Sequence, residues 1–200
     1  FLANESDKKK IPCFGVLGNL ILSFSKLLNQ QASHVPSGQH ALNEEYYDRI
    51  EAIQFTMNHD DGNLITEIEK SDLVILGVSR TSKTPTSIYL ANRGFKTSNI
   101  PLVNENSIPK SLKENPKNTC VVGLTTEAER LVDIRKNRMV SLKEKENTSY
   151  TDIKKIKEEV ENAKKTFMKY KWPTIDVTRK SVEEVAASII KIYEIYKSNE

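Results

Sequence analysis

The chain has 200 residues, 38% hydrophobic and 28% charged, the composition of a soluble globular protein of one domain or of one domain with an appendage. Thirty basic against twenty-seven acidic residues leave a net charge of +3, and the lysines are interspersed with glutamates, so the charge is a solvated surface and nucleic acid is not a partner. No run approaches transmembrane length and no secretory signal pattern is visible, which predicts a cytoplasmic protein with no membrane partner.

Cys13 and Cys120 lie far apart and lack metal-ligand spacing, so they are expected to be buried thiols in a reducing compartment. Residues 1–10 are polar and predict a frayed or short helical start. Phe14, Val16, Leu17, Leu20, Ile21, Phe24, Leu27 and Leu28 then form an apolar stripe at helical spacing, which predicts a core helix. The stretch QQASHVPSGQHALN that follows is a loop by its serine, proline and glycine content, with His34 and His40 in it and no partner for either at metal-binding spacing. From Asn43 a second helix is expected, with Tyr46, Tyr47, Ile50, Ile53 and Met57 on one face. It runs into NHDDG, residues 58–62. Three adjacent ionisable side chains, His59, Asp60 and Asp61, are more than a turn needs, although a turn in which both aspartates cap backbone amides also accounts for them. Residues 63–71 read as a short helix or turn.

Leu73 to Val78 is a short apolar run rich in branched residues, as in a strand buried on both faces. From Pro85 the period becomes helical, with Ile88, Tyr89 and Ala91 on one face and Gly94 placed as a C-cap. Between them lies GVSRTSKT: Gly77, Val78, Ser79, Arg80, Thr81, Ser82, Lys83 and Thr84. That is the spacing of a phosphate-cradling loop, with Ser82 where the second glycine normally stands. A bound diphosphate is wrapped by successive backbone amides at the positive end of a helix. Lys83 neutralises a phosphoryl oxygen in this reading, and Thr84 offers its hydroxyl to a magnesium ion.

Lys96 to Val103 predicts a second strand, and Pro101, Pro109 and Pro116 keep the segment to Asn118 mostly irregular, as a loop able to receive a substrate. Thr119 to Leu124 predicts a third buried strand. Thr126 and Glu129 are spaced as a capping box for the next helix. On that helix Arg130, Arg135 and Arg138 admit two readings: an arginine that closes over transferring phosphates, or a solvated face paired with Glu127, Glu129 and Asp133. Arg130 is favoured for the first role because it lies nearest the helix start. Residues 144–149 form a charged linker, and residues 151–171 a packing helix with Ile153, Ile156, Val160, Ala163 and Phe167 inward. Residues 174–178 are a last short strand. Ser181 and Glu184 make a capping box for a closing helix lined by Val182, Val185, Ala186, Ile189 and Tyr193. Alternation of strands with helices from Asp72 onward predicts an α/β fold: a P-loop kinase-like parallel sheet covered by helices, spanning residues 63–200, behind a mostly helical N-terminal portion, residues 1–62.

The string GVSRTSKTPTSIYLANRGFKTSNIPLV, with NHDDG upstream and VVGLTTEAERLVDIRKNR downstream, resembles the pyruvate, phosphate dikinase and phosphoenolpyruvate synthase regulatory proteins over nearly the whole chain. The resemblance implies a bifunctional serine/threonine kinase and phosphorylase. It phosphorylates a threonine of the dikinase, or of the synthase, with ADP as donor, and removes the phosphate with inorganic phosphate, releasing pyrophosphate. It further implies that Asp61 or Asp60 is the base, with His59 as its partner, whereas the roles of Lys83, of Thr84 with Mg²⁺ and of Arg130 rest on the loop and helix patterns above. The segment SGQH only partly matches a PGxxH-like loop of the family, and the family's further N-terminal segment implies that the chain is a fragment or a processed form. A homo-oligomer is compatible with these features. On the loop alone a small-molecule or nucleotide kinase, or a nucleotide-sensing module without catalysis, remains open.

Overall fold

A computed structural model of the chain describes residues 2–13, 17–32, 44–63, 65–114, 119–142 and 150–198. Contacts divide it into two compact units, residues 1–41 and residues 42–200.

In the first unit, helix α1 covers Leu2–Lys8 and helix α2 covers Gly18–Leu28. Asn29, at φ 49°, ends α2 in the left-handed conformation that asparagine tolerates well. The apolar stripe does form a helix, but it is not core: no described residue of α2 is buried, and Leu20, Phe24 and Leu27 are 52%, 52% and 77% exposed. Cys13 is exposed as well, whereas Cys120 is buried as expected. Phe14, Val16, His34 and His40 lie outside the described residues.

The second unit begins with helix α3, Glu44–Asn58, so the division falls before this helix and not after residue 62. The reason is the face that α3 turns inward. Its buried residues are Ala52 and Thr56, and the Thr56 hydroxyl accepts a hydrogen bond from the backbone N–H of Thr97 at 3.0 Å. Tyr47, Ile50 and Met57, expected inward by their apolarity, are exposed. Short 3₁₀ turns at Asp60–Gly62 and Ile65–Lys70 lead to strand β1, Leu73–Gly77. Helix α4 follows at Lys83–Ala91, starting two residues before Pro85. Gly94, at φ 91°, ends it: its N–H reaches the Ala91 carbonyl while the Phe95 N–H reaches that of Leu90. This is the paired bonding that a glycine permits just past a helix. Ile88 is 42% exposed, and the inward face of α4 is Thr86, Ser87, Leu90 and Ala91.

Strand β2 is Thr97–Pro101. A 3₁₀ turn at Glu105–Ser107 and the one-turn helix α5, Lys110–Lys113, interrupt the proline-bearing loop after it. Then come strand β3 (Cys120–Thr125), helix α6 (Ala128–Leu142), helix α7 (Ile153–Lys169), strand β4 (Thr174–Asp176) and helix α8 (Val182–Ser198). The charged linker lies outside the described residues but for Tyr150, Thr151 and Asp152 after it; Asp152 caps α7.

The four strands are all parallel in the order β2-β1-β3-β4, an α/β sheet of P-loop kinase-like arrangement. Side chains alternate across it. Val74, Leu76 and Val121 pack with Leu131 of α6 and Ile156, Val160 and Phe167 of α7. Leu73, Ile75, Val122 and Leu124 pack on the other face with Leu90 of α4 and Val185, Ala186 and Ile189 of α8. Gly123 is required by close approach, since a Cβ there would stand 2.6 Å from the Phe167 ring. The chain leaves β1 for β2 on one side and returns to place β3 on the other. The crevice beyond the carboxyl end of β1 is therefore the switch point where open parallel sheets take ligands.

Candidate functional site

The loop 77–84 lies at that switch point. Gly77 stands at the end of β1 because nothing larger fits: a Cβ would meet the Thr81 hydroxyl at 2.7 Å and the Leu124 carbonyl at 2.9 Å. Thr81 is fully buried and donates its hydroxyl to the Val78 carbonyl at 3.0 Å, folding the loop back on itself. Arg80 and Ser82 take left-handed backbone angles, φ 74° and 57°, while Ser79 and Thr81 between and before them do not. Alternation of hand along consecutive residues turns successive N–H groups into one concavity, the backbone nest that binds phosphate. Holding each non-glycine residue left-handed costs about 1–2 kcal/mol, a strain that persists where the surroundings over-determine it.

Lys83 opens α4 and is 6% exposed, with its ammonium donating to the Val78 carbonyl at 3.1 Å. Burial pushes its pKa from 10.5 down to about 8; the charges of Asp61 and Asp60 oppose that shift, and those of Arg80 and Arg135 add to it. With one weak carbonyl partner and a desolvated charge, Lys83 is poised to gain from an arriving anion.

The NHDDG element docks against the same loop. Thr84 donates its hydroxyl to the Asp60 carboxylate at 3.0 and 3.3 Å. Asn99, fully buried in β2, donates its side-chain amide to the same carboxylate and to the Thr84 hydroxyl, the latter at 3.1 Å. The backbone of Asn99 donates to the His59 carbonyl at 3.1 Å, which locks the turn to the sheet. Asp61, at φ 51°, is exposed and lines a cavity of about 330 Å³ with Ser79, Arg80, Lys83, Thr84 and Ile134. The two aspartates are thus divided: Asp60 is tied to the loop hydroxyl, and Asp61 faces the cavity. His59 does not join them. Its ring stacks on Phe55 at 3.8 Å and its Nδ1 donates to the Phe55 carbonyl at 2.8 Å, so its hydrogen bonding runs back into α3.

A magnesium ion fits this donor set. It favours hard oxygens, and it is held by one or two carboxylates or hydroxyls together with substrate phosphates and water. Asp60 and Thr84 supply a carboxylate and a hydroxyl already in contact. A site built wholly from protein is not offered: among the described residues no group of three His, Cys, Asp or Glu could hold a metal.

Of the three arginines weighed from sequence, Arg135 is the one brought to the loop. It is 1% exposed, pairs with Glu159 of α7 at 2.6 Å, and donates to the Tyr150 carbonyl at 3.2 Å and the Ser79 carbonyl at 3.4 Å. Arg130 is exposed on α6. The start of α6 is not capped as its sequence suggests. Thr126 and Glu129 do not pair; instead the Thr178 hydroxyl, from beyond β4, accepts from the Glu127 N–H, and Glu129 pairs with Lys157. Residues that sequence reasoning passed over are Asn99, Tyr150 and Glu159. Only Asn99 had a signal, as one of three polar residues, Thr97, Ser98 and Asn99, in a segment otherwise read as a strand.

A larger cavity of about 600 Å³ lies at the other end of the sheet, by the amino end of β3, lined chiefly by Tyr170, Trp172, Pro173, Ile192, Ile195 and Tyr196. Its walls are mostly apolar, without the convergent charges of the loop.

The model of a family described as kinase/pyrophosphorylase matches residues 1–190. A Pelagibacter ubique protein named a pyruvate, phosphate dikinase regulatory protein is 80% identical over 199 residues, covering 100% of this chain and 73% of that protein. Proteins of the same name from Sphingopyxis alaskensis and Erythrobacter litoralis are 50% and 47% identical, over 92% and 96% of this chain and 68% and 69% of their own lengths.

Proposed function

Since this chain belongs to the kinase/pyrophosphorylase family, we propose that it is a cytoplasmic regulator of pyruvate, phosphate dikinase that both phosphorylates and dephosphorylates a threonine of that enzyme. In one direction the β-phosphoryl group of ADP passes to the threonine hydroxyl, leaving AMP and a proton. In the other, inorganic phosphate attacks the phosphothreonine, and pyrophosphate leaves as the threonine oxygen regains a proton.

The observation that carries this reading is the meeting of two segments. A backbone nest with Lys83 and Thr84 offers donors to phosphates, and the exposed Asp61 carboxylate lines the same cavity. Successive N–H groups of residues 79–84 and the Lys83 ammonium take up the charge of the diphosphate or of the attacking phosphate. Asp61 orients the threonine hydroxyl and accepts its proton during phosphorylation; as the acid it returns a proton to the same oxygen during phosphorolysis. Asp60 and Thr84 would hold magnesium, which would supply neutralisation of phosphate charge. Asn99 fixes the Asp60 carboxylate against Thr84.

The test is incubation of the full-length protein with purified dikinase and ADP, and separately of phosphorylated dikinase with inorganic phosphate. Phosphothreonine is mapped by mass spectrometry, and AMP and pyrophosphate are quantified. Transfer to small acceptors with no label on the dikinase would replace this reading by a metabolite kinase.

A further inference from the structure

We propose that Arg135, gripped by Glu159 and roofed by Tyr150, is a positioning residue that holds the phosphate loop in its anion-receiving shape. This rests on the reading that the loop binds the diphosphate of ADP.

The terminal nitrogens of Arg135 are spent on protein groups, while its Nε is buried with no hydrogen-bond partner among the described residues. Its guanidinium meets both oxygens of Glu159, at 2.6 and 3.4 Å, and both of its terminal nitrogens donate to backbone carbonyls, those of Tyr150 and Ser79. The Tyr150 ring covers it, with the guanidinium carbon 4.7 Å from the ring centroid, and the Tyr150 hydroxyl meets that of Ser79 at 3.5 Å. A side chain 1% exposed and committed on three sides is not free to swing over a reacting phosphate.

What it touches on the loop has a consequence for the nest. In a trans peptide the carbonyl and the following N–H point in opposite directions. Drawing the Ser79 carbonyl toward Arg135 therefore aims the N–H of Arg80 the other way, and Arg80 is the first of the two left-handed residues. The fork of Arg135 thus acts on the peptide where the alternation of hand begins. A lysine has the charge but not the planar fork that joins Glu159, Tyr150 and Ser79 at once.

The experiment compares Arg135→Lys, Arg135→Gln, Glu159→Gln and Tyr150→Phe with the parent protein. ADP and inorganic pyrophosphate are titrated by calorimetry well below each thermal midpoint, and kcat and KM for ADP are measured with dikinase. The clamp predicts weaker binding of both ligands, on the order of tenfold to a hundredfold for either Arg135 variant, as for loss of a hydrogen bond to a charged group. Glu159→Gln, which touches no ligand, weakens binding in the same direction and raises KM. Tyr150→Phe, which keeps the ring and loses one contact, shows the same trend with a smaller loss. Rescue by Arg135→Lys, or unchanged affinity with only kcat lost, overturns the proposal in favour of a charge acting directly on the transferring group. A lowered midpoint with parental affinity and KM in Glu159→Gln and Tyr150→Phe reduces the cluster to ordinary packing and also overturns it. Lys83→Ala is titrated alongside. Normal ADP binding by that variant removes the loop reading and the clamp together, whereas loss there with normal binding in the four others removes the clamp alone.

Discussion

Near pH 8 about half of the free protein carries a neutral Lys83, because burial outweighs the attraction of Asp61 and Asp60 and brings its pKa down to about 8. An anion at the loop needs the ammonium, so binding above that pH includes uptake of a proton. ADP and phosphate affinities should hold below pH 8 and fall about tenfold per pH unit above it, which calorimetry across the range reads directly; a flat profile would place the anion away from Lys83. The sign for stability is the reverse. Between about 8 and 10.5 the unfolded chain keeps a proton that the native state has lost, so the contribution of this group to stability rises with pH across that window. Lys83→Ala should erase both dependences and cost on the order of a hundredfold or more in each transfer reaction, as loss of a single electrostatic stabiliser does elsewhere. Asp61→Asn should leave ADP affinity near the parent value and depress both activities. Asp60→Asn should instead raise the magnesium concentration needed for half-maximal rate, since its carboxylate meets the Thr84 hydroxyl. Equal magnesium requirements in the two variants would undo that division of labour.

At the scale of elements, the strand, loop and helix from Leu73 to Gly94 were legible because each signal is local: an apolar run, a patterned loop, a C-terminal glycine. The same holds for Ser181 and Glu184, whose reciprocal bonds, at 2.8 and 3.2 Å, lie within one turn. The capping box at Thr126 and Glu129 was not, because Thr178, fifty-two residues from Thr126, takes the place of the local partner. The inward face of α3 was misread for a related reason. Apolar spacing pointed to Tyr47, Ile50 and Met57, whereas the neighbouring strand offers a polar edge that Thr56 satisfies. Ser82 shows how far a loop can depart from its glycine pattern. Its left-handed angle is the one a glycine there would adopt freely. Ser82→Gly should relieve about 1 kcal/mol of strain and add back about 0.4–1 kcal/mol of unfolded-chain entropy. The thermal midpoint should move little and ADP binding should survive. Loss of binding would show that the Ser82 side chain itself meets the ligand. Gly77→Ala allows no such exchange, with Thr81 and Leu124 already at 2.7 and 2.9 Å from the new methyl. It should destabilise by about 1–3 kcal/mol, the usual range for overpacking, and weaken ADP binding with it.

At the scale of the molecule, the site is assembled from segments that the sheet order brings to one place. Residues 59–62 follow α3, residues 77–84 follow β1, Asn99 comes from β2, Arg135 from α6, Tyr150 precedes α7, and Glu159 lies on it. A sequence shows such segments one at a time, which is why the loop was found and its clamp was not. All of them fall within residues 42–200, one compact unit, and none within residues 1–41. A chain starting at Leu42 should therefore keep its cooperative unfolding and bind ADP with the affinity of the 200-residue chain. Differential scanning calorimetry and titration with ADP test the two halves of that statement separately. Intact cooperative unfolding with lost ADP binding would mean that residues 1–41 complete the nucleotide site, and the loop with its turn and clamp would then be only part of it.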